Sequence, residues 1–321
     1  MKAEAHTRKI DALRRAVNGD VGLALFNDEV IEVLLNPDGR LWIERLGRGM
    51  ECVGSIDPVR AMQIVAAVAA VRDDVVTADR PVIECELPAE FAGARFEGLI
   101  PPVVTAPIFS IRKKALLVFR LDDYVSKGIM TAEQMSVIVD AVQSKRNILI
   151  CGGTGTGKTT LANAVLAQVA ASCPDDRVVV IEDTQELQVA AKNVVFLRTS
   201  ESVDMTGLLR ATMRLRPDRI VVGEVRDRSA LALLKAWNTG HPGGVGTVHA
   251  NDAAAALVRV GQLVQEANVP PAPELIAEAV NVVVSIKRLA HGRIIDQVLS
   301  VRGWDGSRYV LERADRSSDL H

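Results

Sequence analysis

Eight consecutive residues, Gly152-Gly153-Thr154-Gly155-Thr156-Gly157-Lys158-Thr159, set a lysine and a hydroxyl directly behind a run of glycines. They fit the pattern G-x-x-x-x-G-K-[ST], in which glycine lets successive backbone N–H groups turn inward around phosphate oxygens. A helix opening at the end of such a loop adds partial positive charge. In this arrangement Lys158 reaches the β- and γ-phosphates of ATP and the Thr159 hydroxyl holds Mg²⁺, with Thr160 next in the phosphate-binding set. The pattern needs a strand before it and a helix after it. Asn147–Cys151 is a short apolar run suited to a buried parallel strand, and Thr160–Ala167 has helical periodicity.

Three further clusters follow, each near the carboxyl end of an expected strand, the edge of an open α/β sheet where ligands bind. Val178–Ile181 runs into Glu182-Asp183. That pair can simply start a loop; beside a nucleotide it can position water or ligate Mg²⁺ indirectly, which makes Asp183 a metal candidate through a bridging water. Ile220-Val221-Val222 runs into Gly223-Glu224. A standard Walker B strand carries Asp before the Glu, so the glycine is a departure. It leaves Glu224 as the candidate for activating the attacking water, with Glu182 in competition. His241 to His249 is a glycine-rich loop, and His249 sits just ahead of a helix cap at Asn251 or Asp252. A histidine there is structural or reads the γ-phosphate.

Alternating helix and strand signals position these residues from Thr131 onward. Strands are expected at Asn147–Cys151, Arg177–Ile181, Val194–Thr199, Arg219–Val225 and Gly246–His249. Helices are expected at Ala132–Gln143, Thr159–Ala170, Met205–Leu215, Ser229–Asn238 and Ala253–Glu266. Such alternation implies an α/β fold with a mainly parallel sheet and helices on its faces. A short helix near Pro273–Val280, a strand at Val282–Ile286 and a hairpin around Gly303-Trp304-Asp305-Gly306 follow. The first third is different: a hairpin through Glu29–Arg45, a helix opened by Asp57-Pro58, and β-like segments at Val82–Leu87, Ala94–Ile100 and Ile108–Lys113. The expected organisation is a smaller α+β domain over residues 1–118, a linker at 119–130 and an α/β nucleotide-binding domain over 131–321.

Composition removes several classes. The formal net charge is −2, which gives no overall electrostatic case for nucleic acid or an acidic membrane surface. Cysteines at 52, 85, 151 and 173 form no C-x-x-C pair, against a structural zinc site and in keeping with a reducing, cytoplasmic setting. The polar start of the chain lacks a signal-peptide core, and the apolar run Ala61–Val71 is too short to span a bilayer.

Gly152–Thr159, Glu182-Asp183, Gly223-Glu224 and His241–His249, in that order, resemble the Walker A loop, Asp box, atypical Walker B and His box of the secretion-ATPase superfamily of type II and type IV secretion. The run Leu215-Arg216-Pro217-Asp218-Arg219 to Arg226 is close to that family's usual wording. Within the superfamily the chain looks most like conjugal-transfer ATPases of type IV secretion, of the TrbB kind. The resemblance implies a homohexameric ring with ATP and Mg²⁺ between the two domains of each subunit. It also implies arginines of the N-terminal domain at the phosphates, matched here by Arg95 and Arg112. Further implied are docking on inner-membrane components of a conjugative apparatus, a cytoplasmic location peripheral to the inner membrane, and no sequence-specific nucleic acid. Pilus assembly or retraction motors, type II secretion motors and, more distantly, DNA translocases are the alternatives.

Overall fold

The computed structural model describes residues 2–45, 48–114, 118–200, 202–289 and 292–314. The chain divides into two compact units, Met1–Leu116 and Leu117–His321.

In the first unit, α1 (Lys2–Ala16) and α2 (Asp20–Leu25) precede β1 (Val30–Leu35), β2 (Arg40–Arg45) and β3 (Met50–Ser55). Then come α3 (Pro58–Val71), β4 (Val82–Glu86), β5 (Arg95–Leu99) and β6 (Ile108–Arg112). The strands form one antiparallel sheet in the order β3-β2-β1-β6-β5-β4. Asp57 caps α3 by accepting hydrogen bonds from the N–H groups of Val59 and Arg60, and Pro58 supplies a preset φ at the first turn. Ile64, Val65 and Val68 of α3 join Leu13 of α1 and Phe96 and Ile111 of the sheet in one core. Sequence reading had not picked out α1, α2 or β3. Among the described side chains of α1 only Ile10 and Leu13 are buried, a thin stripe on a charged helix, and β3 is an almost wholly exposed edge strand. Pairing to β2, rather than burial, makes β3 a strand.

The second unit begins with α4 (Leu121–Ser126) and α5 (Ala132–Gln143). The helix α4 lies inside the stretch read as a linker. Its Leu121 and Tyr124 are buried in the same cluster as Ile138 and Leu161, so 121–130 is packed chain rather than open connection. There follow β7 (Ile148–Cys151), α6 (Lys158–Ser172), β8 (Arg177–Glu182), β9 (Asn193–Arg198), α7 (Met205–Thr212) and β10 (Arg219–Val222). The chain continues through α8 (Ser229–Asn238), β11 (Val245–Val248), α9 (Ala253–Gln265), α10 (Pro273–Ala279), β12 (Val282–Leu289), β13 (Gly292–Trp304) and β14 (Tyr309–Arg313).

These strands form an eight-stranded sheet, β14-β13-β12-β7-β11-β10-β8-β9. Pairing is parallel from β12 through to β9 and antiparallel at β12–β13 and β13–β14. Every residue of β7, β10 and β11 is buried, as expected of parallel strands covered on both faces. Helix starts follow local chemistry: Thr131 and Gln134 form a capping box on α5, and Asp204 and Asp252 cap α7 and α9. Among the described residues no helix is long and apolar enough to cross a membrane.

Candidate active site

The strand order decides the site. Because β11 lies between β7 and β10, and β10 beside β8, the loops leaving four neighbouring parallel strands open on one edge. Those loops carry Gly152–Gly157, His249, Gly223-Glu224 and Glu182-Asp183.

The glycine loop turns tightly between β7 and α6. A Cβ on Gly152 would lie 2.4 Å from the Ile286 carbonyl oxygen, so only glycine fits there. Gly155 and Gly157 have φ of 68° and 100°, in the left-handed region that glycine adopts without strain. Thr156 Oγ1 donates to the Gly153 carbonyl at 2.9 Å and pins the bend. Thr154 is exposed at its tip. Lys158 opens α6 with its side chain buried, and its Nζ donates to the carbonyls of Gly152 at 3.0 Å and Gly153 at 3.1 Å. Thr159 and Thr160 follow in the first turn of the helix. Thr159 Oγ1 donates to Glu186 Oε2 at 3.2 Å. Glu186 was not singled out from the sequence; its only signal was its place four residues after Glu182.

Glu182 ends β8 and is 5% exposed. Its Oε1 accepts the N–H groups of Glu186 and Leu187, both at 3.0 Å. Burial nevertheless pushes the carboxyl up to about 7, against the pull of those two donors. The departure at Gly223 has a steric origin: a Cβ there would lie 2.8 Å from Glu182 Cγ. The buried glutamate occupies the space that a Walker B aspartate would need. Asp183 is more exposed, accepts from Thr199 Oγ1 at 2.9 Å and lies 3.7 Å from Arg226.

Both oxygens of Glu224 are engaged. Oε2 accepts from Arg226 Nη2 at 2.7 Å and Nε at 2.9 Å, and Oε1 lies 2.8 Å from His249 Nε2. Since an ionised carboxylate only accepts, His249 Nε2 carries the proton in this contact. With Nε2 carrying that proton, the acceptor of the neutral ring is Nδ1, which lies 3.5 Å from Lys158 Nζ. Lys158, His249 and Glu224 therefore form one connected group. His241, at the other end of the loop, has its Nδ1 buried without a hydrogen-bond partner among the described residues. Glycines between the two histidines serve packing. A Cβ on Gly244 would lie 2.0 Å from the Trp237 indole nitrogen, which donates to the Ile220 carbonyl at 3.1 Å.

Arg95 and Arg112 belong to the first unit, where the strand register sets them directly opposite each other on β5 and β6. Arg95 also pairs with Glu84.

A family model described as type II/IV secretion system protein matches residues 25–296. The chain belongs to the type II/IV secretion system protein family. Among the members of this family, the conjugal transfer protein TrbB of Rhizobium radiobacter is 48% identical over 318 residues, 99% of this chain and 98% of that protein. A probable conjugal transfer protein TrbB of Sinorhizobium fredii is 49% identical over 308 residues, 96% and 94% of the two chains. In three dimensions the ATPase DotB of Legionella pneumophila superposes with a TM-score of 0.61 at 16% identity, covering 95% of this chain and 81% of that one. The fold of this secretion-family chain is thus the RecA-like α/β core preceded by a smaller domain, as the order of its motifs implied.

Proposed function

We propose that this protein is an ATPase that powers a conjugative type IV secretion system, acting as a homohexamer on the cytoplasmic side of the inner membrane through membrane-protein partners. Full-length similarity to conjugal transfer proteins supports the biological setting. The observation that carries the chemistry is the connected group Lys158, His249 and Glu224 at one sheet edge.

Lys158 and the inward N–H groups of Gly153–Thr160 bind the polyphosphate of ATP. Glu224 orients a water molecule and takes its proton as the water oxygen bonds to the γ-phosphorus. The bond from that phosphorus to the β–γ bridging oxygen breaks, and ADP and phosphate leave. Among the described residues no group of three His, Cys, Asp or Glu side chains could hold a metal ion unaided. Mg²⁺ in nucleotide sites needs only one or two protein oxygens beside phosphate and water, and the hard oxygens here suit it. Thr159, with Asp183 through water, would hold it, and it would neutralise charge on the β- and γ-phosphates. For Arg95 and Arg112 we propose recognition of the nucleotide phosphates, because the register sets the two residues opposite each other on neighbouring strands and a guanidinium is a planar, always-charged donor suited to phosphate.

Phosphate release by the purified chain tests the reaction: Glu224→Gln should bind ATP and hydrolyse it poorly. If Glu182→Gln is the more damaging change, the two glutamates exchange roles. Restoring wild type or Lys158→Ala to a deletion of the source system tests the setting. Mating recovered by wild type alone is expected, and unaffected mating in the deletion would overturn it.

A further inference from the structure

The phosphate-binding loop is backed by an element that its motif does not include. The β12–β13 hairpin sets Arg288 and Arg293 directly opposite each other in the strand register, at the end of the hairpin that reaches the loop. The Arg293 side chain lies across the start of α6. Its Cδ and Nε come within 3.3 Å of where a Cβ on Gly157 would stand, and its Nη2 donates to the Gly155 carbonyl at 3.4 Å. Arg288 Nη1 comes within 3.7 Å of the corresponding point on Gly155. Gly157 has a φ of 100°, where any other residue is strained, and a Cβ there would crowd this guanidinium.

One atom of this arrangement is unaccounted for. Arg293 Nε is buried and has no hydrogen-bond partner among the described residues. A buried guanidinium donor without an acceptor is costly. An anion at the loop would supply that acceptor. Guanidinium is suited to this task because it can donate to a backbone carbonyl through one nitrogen and to a phosphate oxygen through another.

We propose that Arg293 is a nucleotide-binding residue that donates to the diphosphate shared by ADP and ATP, with Arg288 supplying the adjoining positive charge. The proposal rests on the assignment of Gly152–Thr159 as a nucleotide site. It differs in kind from the role of Lys158, which is made within the loop. Arg293 acts before and after hydrolysis alike, because the diphosphate is common to substrate and product. It is a determinant of affinity, and it tethers the β12–β13 hairpin to the occupied loop.

The test uses the full chain, with Mg·ADP and Mg·ATP titrated by calorimetry and turnover measured at saturating ATP. Arg293→Gln is expected to weaken both nucleotides at least tenfold and to leave kcat within about threefold of wild type. Arg293→Lys, which keeps the charge, should recover part of the lost affinity for both and serves where the glutamine variant melts early. Unchanged affinity for ADP and ATP in both variants, with Lys158→Ala still losing them, overturns the proposal and leaves the nucleotide site standing. A lowered kcat with unchanged affinity overturns it too, since that is the result of a merely deformed loop. Wild type binding neither nucleotide overturns the site and the proposal together.

Discussion

His249 Nε2 stands 2.8 Å from Glu224 Oε1, while Nδ1 of the same ring lies 3.5 Å from Lys158 Nζ. One imidazole thus joins the residue expected to grip the γ-phosphate to the residue expected to handle the water. Its loss should loosen the carboxylate without removing the phosphate grip. His249→Ala is expected to lower kcat about 10- to 100-fold, the usual cost of misplacing a catalytic group, with ATP affinity changed far less. Steady-state kinetics beside calorimetry separate the two quantities. An equal loss of affinity would place His249 in binding instead.

Lys158 is buried and donates to two carbonyls of its own loop. Lys158→Ala removes a charge that has to meet phosphate, and turnover should fall by about 100-fold or more. The helix it opens is anchored elsewhere by Leu161, Val165 and Leu166 in the core, so circular dichroism should match wild type. Normal phosphate release by the folded variant would sink the site assignment.

Gly223 marks where this chain departs from the usual Walker B pattern, and Glu182 fills the space. Gly223→Asp, which restores the usual residue, should therefore destabilise by about 1–3 kcal/mol through overpacking and place two carboxylates in contact. Denaturant unfolding measures it. A variant as stable as wild type would show that Glu182 can swing aside.

Glu182 should give stability a pH signature. Its carboxyl is raised from an ordinary 4.5 to about 7, so between these values the folded state holds a proton that the unfolded state has released. Stability therefore falls as pH rises through this window and levels off above it, by at most about 3 kcal/mol. Glu182→Gln cannot titrate, and its amide oxygen can still accept from Glu186 and Leu187. The variant should gain on wild type between pH 5 and 8 in paired thermal melts. Parallel curves would refute the buried, protonatable state.

Legibility in the sequence varied with how local the cause was. The phosphate loop, the strand into it and the helix after it were readable because glycine φ, apolar runs and helical periodicity act over a few residues. The ends of α5 and α8 agree with expectation to the residue for the same reason: Thr131–Gln134 is a complete local cap on α5, and turn residues follow Asn238. Helix α4 was missed within Phe119–Met130 because its two buried residues, Leu121 and Tyr124, give too short a pattern among charges. Arg293 was missed because it lies more than 130 residues from the loop it covers, and only the β12–β13 hairpin returns it there.

The sequence by itself determined the class of chemistry, since a glycine loop ending in Lys158-Thr159 and carboxylates at strand ends are set by nearby residues. It also determined the family, through the order of four motifs. Only the tertiary structure decided which of these residues meet. Placement of β11 between β7 and β10 puts His249 between Lys158 and Glu224, and the packing of Glu182 beside β10 fills the space that a Cβ at 223 would take. Strand order and close approach are products of the whole core, where side chains distant in sequence compete for the same volume, and no local window contains that information.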